Sequence, residues 1–126
     1  MLNEVKLIGH LGRDPEQGGE TRPVVLHVAT SERWKSEDGQ LQERTDWHYV
    51  VLWGRSREHV MKYLRQGSRV FVEGKLRHEQ YHDRETGEVK YATKIESRKV
   101  LFLDRNPNGG GSTHDVPDHI DEGPPY

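Results

Sequence analysis

RTDWHYVVLW, residues 44–53, alternates in the way a β-strand uses. Trp47, Tyr49, Val51 and Trp53 fall on one parity, and His48, Val50 and Leu52 fall on the other. Successive strand side chains point to opposite faces, so this segment has an aromatic side and a smaller side fit for a core. Working outward, VVLHVATSERW (24–34) is a second β-branched run with Val24, Leu26, Val28 and Thr30 in phase. The polar stretch KSEDGQLQE (35–43) joins the two and carries the Asp38-Gly39 turn signal. Upstream, Asn3 to Leu11 supplies Val5, Leu7, Ile8 and Leu11, and Gly12-Arg13-Asp14-Pro15 ends it.

Downstream, Gly54 stops the strand and one helix is expected, with Ser56 as its cap. Val60, Met61 and Leu64 form its apolar stripe, and Gly67 follows as the C′ residue. Arg69 to Arg77 alternates again: Val70, Val72, Gly74 and Leu76 against Phe71, Glu73, Lys75 and Arg77. HDRETGE (82–88) makes a hairpin tip, and Val89 to Leu103 returns as a strand with an interruption expected near Glu96-Ser97. Three strands, a helix and two strands fit an all-β fold with one short helix, a five-stranded Greek-key OB-fold barrel. A mostly antiparallel sandwich is the structural alternative.

The chain has 126 residues and no cysteine, so it is one domain without disulfides, thiol nucleophile or cysteine-bound metal. No run approaches the ~20 apolar residues of a membrane span, and no signal pattern opens the chain, which points away from membranes and to the cytosol. The formal net charge of −2 conceals an asymmetry. Residues 106–126 carry Asp115, Asp118, Asp121 and Glu122 and no Lys or Arg, whereas residues 1–105 hold 19 basic and 17 acidic side chains. The division expected is an OB domain over 1–105, then a flexible linker and acidic tip over 106–126. The stretch NPNGGGS (106–112) has linker composition, and few later residues could be buried.

Catalysis finds little support. His78, His82 and Asp83 invite a metal reading, but they lie on a strand end and a hairpin, where nothing fixes a site; no metal and no cofactor are expected. The paired carboxylates Glu37-Asp38 and Asp121-Glu122 lie in a turn and the tail, without a pocket to tune them. No catalytic residue is expected. The aromatic and basic residues are more informative. Trp34, Trp47, Trp53 and Tyr81 stand among Arg33, Lys35, Arg44, Arg55, Arg57, Arg65, Lys75 and Arg77. Single-stranded nucleic acid is held by this combination, because flat rings stack on bases at about 1–3 kcal/mol each and cations follow the phosphates. The bland alternative is that the tryptophans are core.

The sequence resembles bacterial single-stranded DNA-binding proteins. The resemblance lies in NEVKLIGHLGRDPE (3–16), VATSERW (28–34), ERTDWH (43–48), VVLWG (50–54), YLRQGS (63–68) and VEGKLR (72–77), six blocks in family order. It implies an OB fold, assembled as a homotetramer, that coats single-stranded DNA in replication, recombination and repair without catalysis. It places Trp34, Trp47, Trp53 and Tyr81 on the family's base-stacking positions, with Trp53 where phenylalanine is common and Tyr81 where tryptophan is. It links His48, Phe71 and Lys75 to subunit contacts. The family's tip, a run of acids closed by proline and phenylalanine, is read by partner proteins. Here Asp118, Asp121, Glu122 and Pro125 keep that character, but the chain ends in Tyr126 with Gly123 inserted, and the linker is short. His10 stands where asparagine is usual, and the loop Gln17 to Pro23 is short.

The reading is therefore a sequence-independent single-stranded DNA binder of the bacterial cytoplasm and nucleoid. The expected DNA contacts are Trp34, Trp47, Trp53, Tyr81, Arg33, Lys35, Arg44, Arg55, Arg65 and Arg77. The rivals are an OB-fold replication accessory factor that chiefly binds proteins, and a metal-dependent nuclease.

Overall fold

In the computed structural model, residues 1–104 are described; the expected boundary at 105 and the tip residues Asp118, Asp121, Glu122, Pro125 and Tyr126 lie outside the described residues. The elements are β1 (Val5–Leu11), β2 (Glu16–Gln17), β3 (Val24–Lys35), β4 (Leu41–Leu52), α1 (Ser56–Tyr63), β5 (Arg69–His82) and β6 (Val89–Phe102). The sheet runs β1-β5-β6-β4-β3, and the pairs His10↔Ala29 and Leu11↔Val28 join β3 back to β1. That closes a five-stranded barrel. Every contact in it is antiparallel except β4–β6, and the two-residue β2 is an added edge on β3. The last closing step needs close approach of two backbones. A Cβ on Gly9 would lie 2.2 Å from the Ala29 carbonyl oxygen, so only glycine fits there.

The alternation read from sequence fills this barrel. Val24, Leu26 and Val28 of β3, Val50 and Leu52 of β4, Val70 and Val72 of β5 and Val100 of β6 are essentially sealed from solvent. Val60 and Leu64 bring the helix into the same core, with Met61 packed at its margin. Two strands run well past the expected bounds, since β4 begins at Leu41 and β5 runs on to His82, while β1 starts only at Val5. Cross-strand hydrogen bonds continue where burial stops, so two hairpins project beyond the barrel. Leu76, expected on the core face, is 40% exposed because its strand has already left the barrel there. The interruption expected in the last strand is a bulge. Glu73 pairs with Lys99 and Gly74 with Ser97, leaving Arg98 as the extra residue.

Two helix assignments need correction. The N-cap is Arg55, not Ser56, which is the first helical residue and is buried. Nor is Gly67 the C′ residue, since the helix stops at Leu64, whose ψ of 144° is extended. Tertiary hydrogen bonds decide that end. The Gln66 N–H donates to the Asp14 carboxylate at 2.7 Å and the Gly67 N–H to the Leu11 carbonyl at 2.8 Å. The loop after β1 thus pins the segment that would otherwise extend the helix. No helix among the described residues is long and apolar enough to cross a membrane.

Candidate nucleic-acid interface

The β3–β4 ladder runs without a break from Val24↔Leu52 to Lys35↔Leu41. Parity along it is therefore fixed. Trp47 and Tyr49 point outward, opposite to Val50 and Leu52, and Trp53 follows on the same side at the strand end. Trp47 is 63% exposed and Trp53 51% exposed, so the tryptophans are not core residues. A core of this size is already filled by Val, Leu and Ile, and a half-exposed indole has no burial reason to be there. Trp47 has a defined seat, because a Cβ on Gly12 would fall 2.2 Å from its Cζ3 and 2.6 Å from its Cη2. The ring lies over the bare backbone of Gly12. The glycine is in the first block of the resemblance, yet nothing in its local pattern announces that a ring rests on it.

Tyr81 lies on the outer parity of β5, in line with Lys75 and Arg77, and is half exposed. Trp34 is not brought to the same side. It pairs with Gln42, five residues from Trp47 along β4, and so projects from the opposite face of the β3–β4 hairpin. The four aromatic residues therefore divide between the outer face and the two sides of a projecting hairpin. Tyr91, 71% exposed on β6 across from Gln80, is a further exposed ring that the sequence reading passed over.

The cations differ in how far they are neutralised. Arg33 lies 3.8 Å from Glu43, and Arg44 lies 3.2 Å from Asp46. Lys75 and Arg77 share one carboxylate, Glu96, at 3.8 and 3.2 Å, which leaves that cluster positive. Among the described residues no ion pair joins Lys35 or Arg55 to a carboxylate. Arg65 has a structural task, donating from Nη1 to the carbonyls of Met61 and Leu64 at the end of α1. Surface ion pairs such as these contribute little to stability and exchange readily for phosphate.

The residues expected at subunit contacts separate as well. Phe71 and Lys75 lie outward on β5, where Phe71 sits between its neighbours Ile8 of β1 and Leu101 of β6 in an apolar row. Ile8 is 53% exposed. His48 belongs to the other parity, across from Val28, and its Nε2 is hydrogen-bonded to the Thr30 hydroxyl at 2.8 Å. His78 and His82 are four residues apart on one extended strand, a span of about 13 Å, too far to share one ion. The His78 ring is instead bonded to the Thr93 hydroxyl.

A closed five-stranded barrel of this order, with one short helix and projecting hairpins, is an OB fold, the class of barrels whose members bind oligonucleotides and oligosaccharides. Within that class, residues 2–103 match the family described as the Single-strand binding protein family, and the chain belongs to it. Single-stranded DNA-binding protein 1 of Chlorobaculum tepidum is 42% identical over 116 residues, covering 89% of this chain and 71% of the relative. The protein of the same name from Xylella fastidiosa strain 9a5c is 39% identical, over 90% of this chain and 88% of its own length. Among solved structures, one described as the Plasmodium falciparum SSB complex with ssDNA matches with a TM-score of 0.73. It is 32% identical over 82% of this chain and 97% of that chain. A deletion mutant of the single-stranded DNA binding protein from Thermus aquaticus matches with a TM-score of 0.67 at 30% identity, over 82% of this chain and 51% of that one.

Proposed function

We propose that this chain binds and protects single-stranded DNA without sequence preference, as a non-enzymatic factor of replication, recombination and repair in the bacterial cytoplasm. One observation carries the reading: Trp47, Trp53 and Tyr81 stand half-exposed on the outer parity of their strands beside a core that has no need of them. Stacking reads no base identity, because every base offers a π-face, and Arg33, Lys35, Arg44, Arg55, Arg65 and Arg77 follow the phosphates. The likeness to a structure described as a complex with ssDNA supports it. Trp34, on the far side of its hairpin, extends the path around the hairpin rather than along one plane.

Titrating poly-dT while following tryptophan fluorescence tests this. Trp47→Ala and Trp53→Ala should each weaken binding by about 1–3 kcal/mol, with similar losses on different base sequences. Unchanged affinity in the folded Trp47 variant would remove that face from the DNA path. Labelled DNA should remain intact with and without magnesium; cleavage would favour a nuclease, and absence of binding a protein-binding accessory factor.

The assembly proposed is a homotetramer, supported by the apolar row Ile8–Phe71–Leu101 on the outer face. For the acidic tip, the proposal is that Asp118, Asp121, Glu122 and Pro125 lead Tyr126 into a pocket on replication and repair proteins, its carboxylate paired with Arg or Lys. Deleting Tyr126 should abolish that binding and Tyr126→Phe should preserve it. Equal binding by a chain lacking residues 113–126 would overturn the tip's role.

A further inference from the structure

Arg57, in the first turn of α1, makes contacts that its sequence position does not announce. Its Nε donates to the Gly54 carbonyl at 3.0 Å, and its Nη1 donates to the carbonyls of Glu20 at 3.0 Å and Arg22 at 2.7 Å. The two loop residues are 37 and 35 positions away in sequence. The same guanidinium stands 5.8 Å from the centroid of the Trp53 ring, within the range at which a cation is held by an indole face. One side chain therefore ties together the loop between β2 and β3, the turn that follows β4, and the ring at the end of β4. No ion pair joins Arg57 to a carboxylate among the described residues, so its charge is solvated by carbonyl dipoles and not cancelled.

We propose that Arg57, braced on the carbonyls of Glu20 and Arg22, is a positioning residue for DNA binding, which backs the Trp53 ring and holds it at a fixed angle so that the ring's other face is free for a base. The inference rests on the stacking role proposed above for Trp53. A half-exposed tryptophan at a strand end has rotamer freedom to lose on binding, and a ring already held loses less. The side chain suits the task. A planar fork with several N–H groups can serve three carbonyls and lie against an indole at once, which an ammonium on a flexible stem cannot.

A double-mutant cycle on poly-dT affinity separates this from a general structural effect. Arg57→Ala should weaken binding about three- to tenfold in the otherwise unchanged chain and in a Trp47→Ala background. In a Trp53→Ala background its effect should fall below about twofold, since the ring it positions is gone. Arg57→Lys, which keeps the charge, should behave like Arg57→Ala. A second readout needs no DNA. With Trp34 and Trp47 both changed to Phe, fluorescence reports Trp53 alone, and Arg57→Ala should lower its anisotropy and raise its quenching by acrylamide. If Arg57→Ala does not fold, Arg57→Lys supplies both measurements. Equal losses in the Trp47 and Trp53 backgrounds overturn the proposal. So does full recovery by lysine together with a salt-dependence slope lowered by about 0.7 in the alanine variant alone, which would mark an ordinary phosphate contact. If Trp53→Ala itself leaves affinity unchanged, the stacking reading fails. The DNA-free anisotropy then still decides whether Arg57 holds the ring.

Discussion

Gly12→Ala should separate DNA binding from folding. The backbone at Gly12 is outside the left-handed region, so alanine can adopt it without strain. The added Cβ would meet Trp47 Cζ3 at 2.2 Å. Ordinary carbon contacts begin at about 3.5 Å, so the ring must withdraw by roughly 1.3 Å. It can do so cheaply, because Trp47 is 63% exposed and its outer edge meets solvent. An off-rotamer indole costs about 0.5–1.5 kcal/mol. Replacing glycine returns about 0.4–1 kcal/mol through the unfolded chain. Folding stability should therefore change by less than about 1 kcal/mol, a few degrees in Tm for a domain of this size. Binding should suffer more, since Trp47 contributes about 1–3 kcal/mol only when its ring lies where a base can cover it. We expect poly-dT affinity to fall at least about fivefold, measured by fluorescence titration at fixed salt, with melting followed by circular dichroism. In a Trp47→Ala background the same change should do almost nothing. A folded Gly12→Ala protein with full affinity, or one that loses as much affinity without Trp47 as with it, would refute the reasoning.

Gly9→Ala is the contrasting case, because its Cβ would meet the Ala29 carbonyl, which is backbone and cannot swing aside. Melting should drop by several degrees or more, and an unchanged Tm would contradict the closure described for β1 and β3. Phe71→Arg should dissociate the proposed tetramer, since it would place an unpaired charge in the buried contact. Light scattering that finds the unmutated chain monomeric at micromolar concentration would contradict that assembly. At the β5–β6 tip, the Lys90 ammonium and the N–H groups of Glu85 and Thr86 hold the Asp83 carboxyl below its usual range. A folded pKa below the unfolded one means that the ordering it provides is present above the ordinary carboxylate range. It is lost as pH falls through the lowered value. Protection factors at Glu85, Thr86 and Gly87, taken against the intrinsic exchange rate at each pH, should fall on acidification in the native protein but not in Asp83→Asn, where they should already be low at neutral pH.

Much of the barrel is written in one-dimensional alternation. Val24, Leu26 and Val28, then Val50 and Leu52, then Val70 and Val72, repeat at the strand period, and their burial follows from that alone. The sequence favoured an outer face for Trp47 and Trp53, because the opposite parity of the same strand already supplied Val50 and Leu52, and their exposure in the structure removes the core alternative. What pattern could not determine is anything fixed between distant segments. The helix end at Leu64 is decided by Asp14, fifty-two residues from Gln66, and a local reading naturally assigned that role to Gly67. How far the hairpins project depends on pairing that continues after burial has ended, and hydrophobic periodicity carries no signal for it. The resemblance set Trp34 beside Trp47 as a base-stacking position. Only the unbroken ladder, which sets it across from Gln42, places it on the other face. The bare backbone of Gly12 beneath an indole and the guanidinium of Arg57 spanning three carbonyls are likewise contacts between segments remote in sequence. A sequence determines which faces are apolar because that property is local, whereas what a ring rests on is decided by chain closure, which brings remote backbone within van der Waals reach.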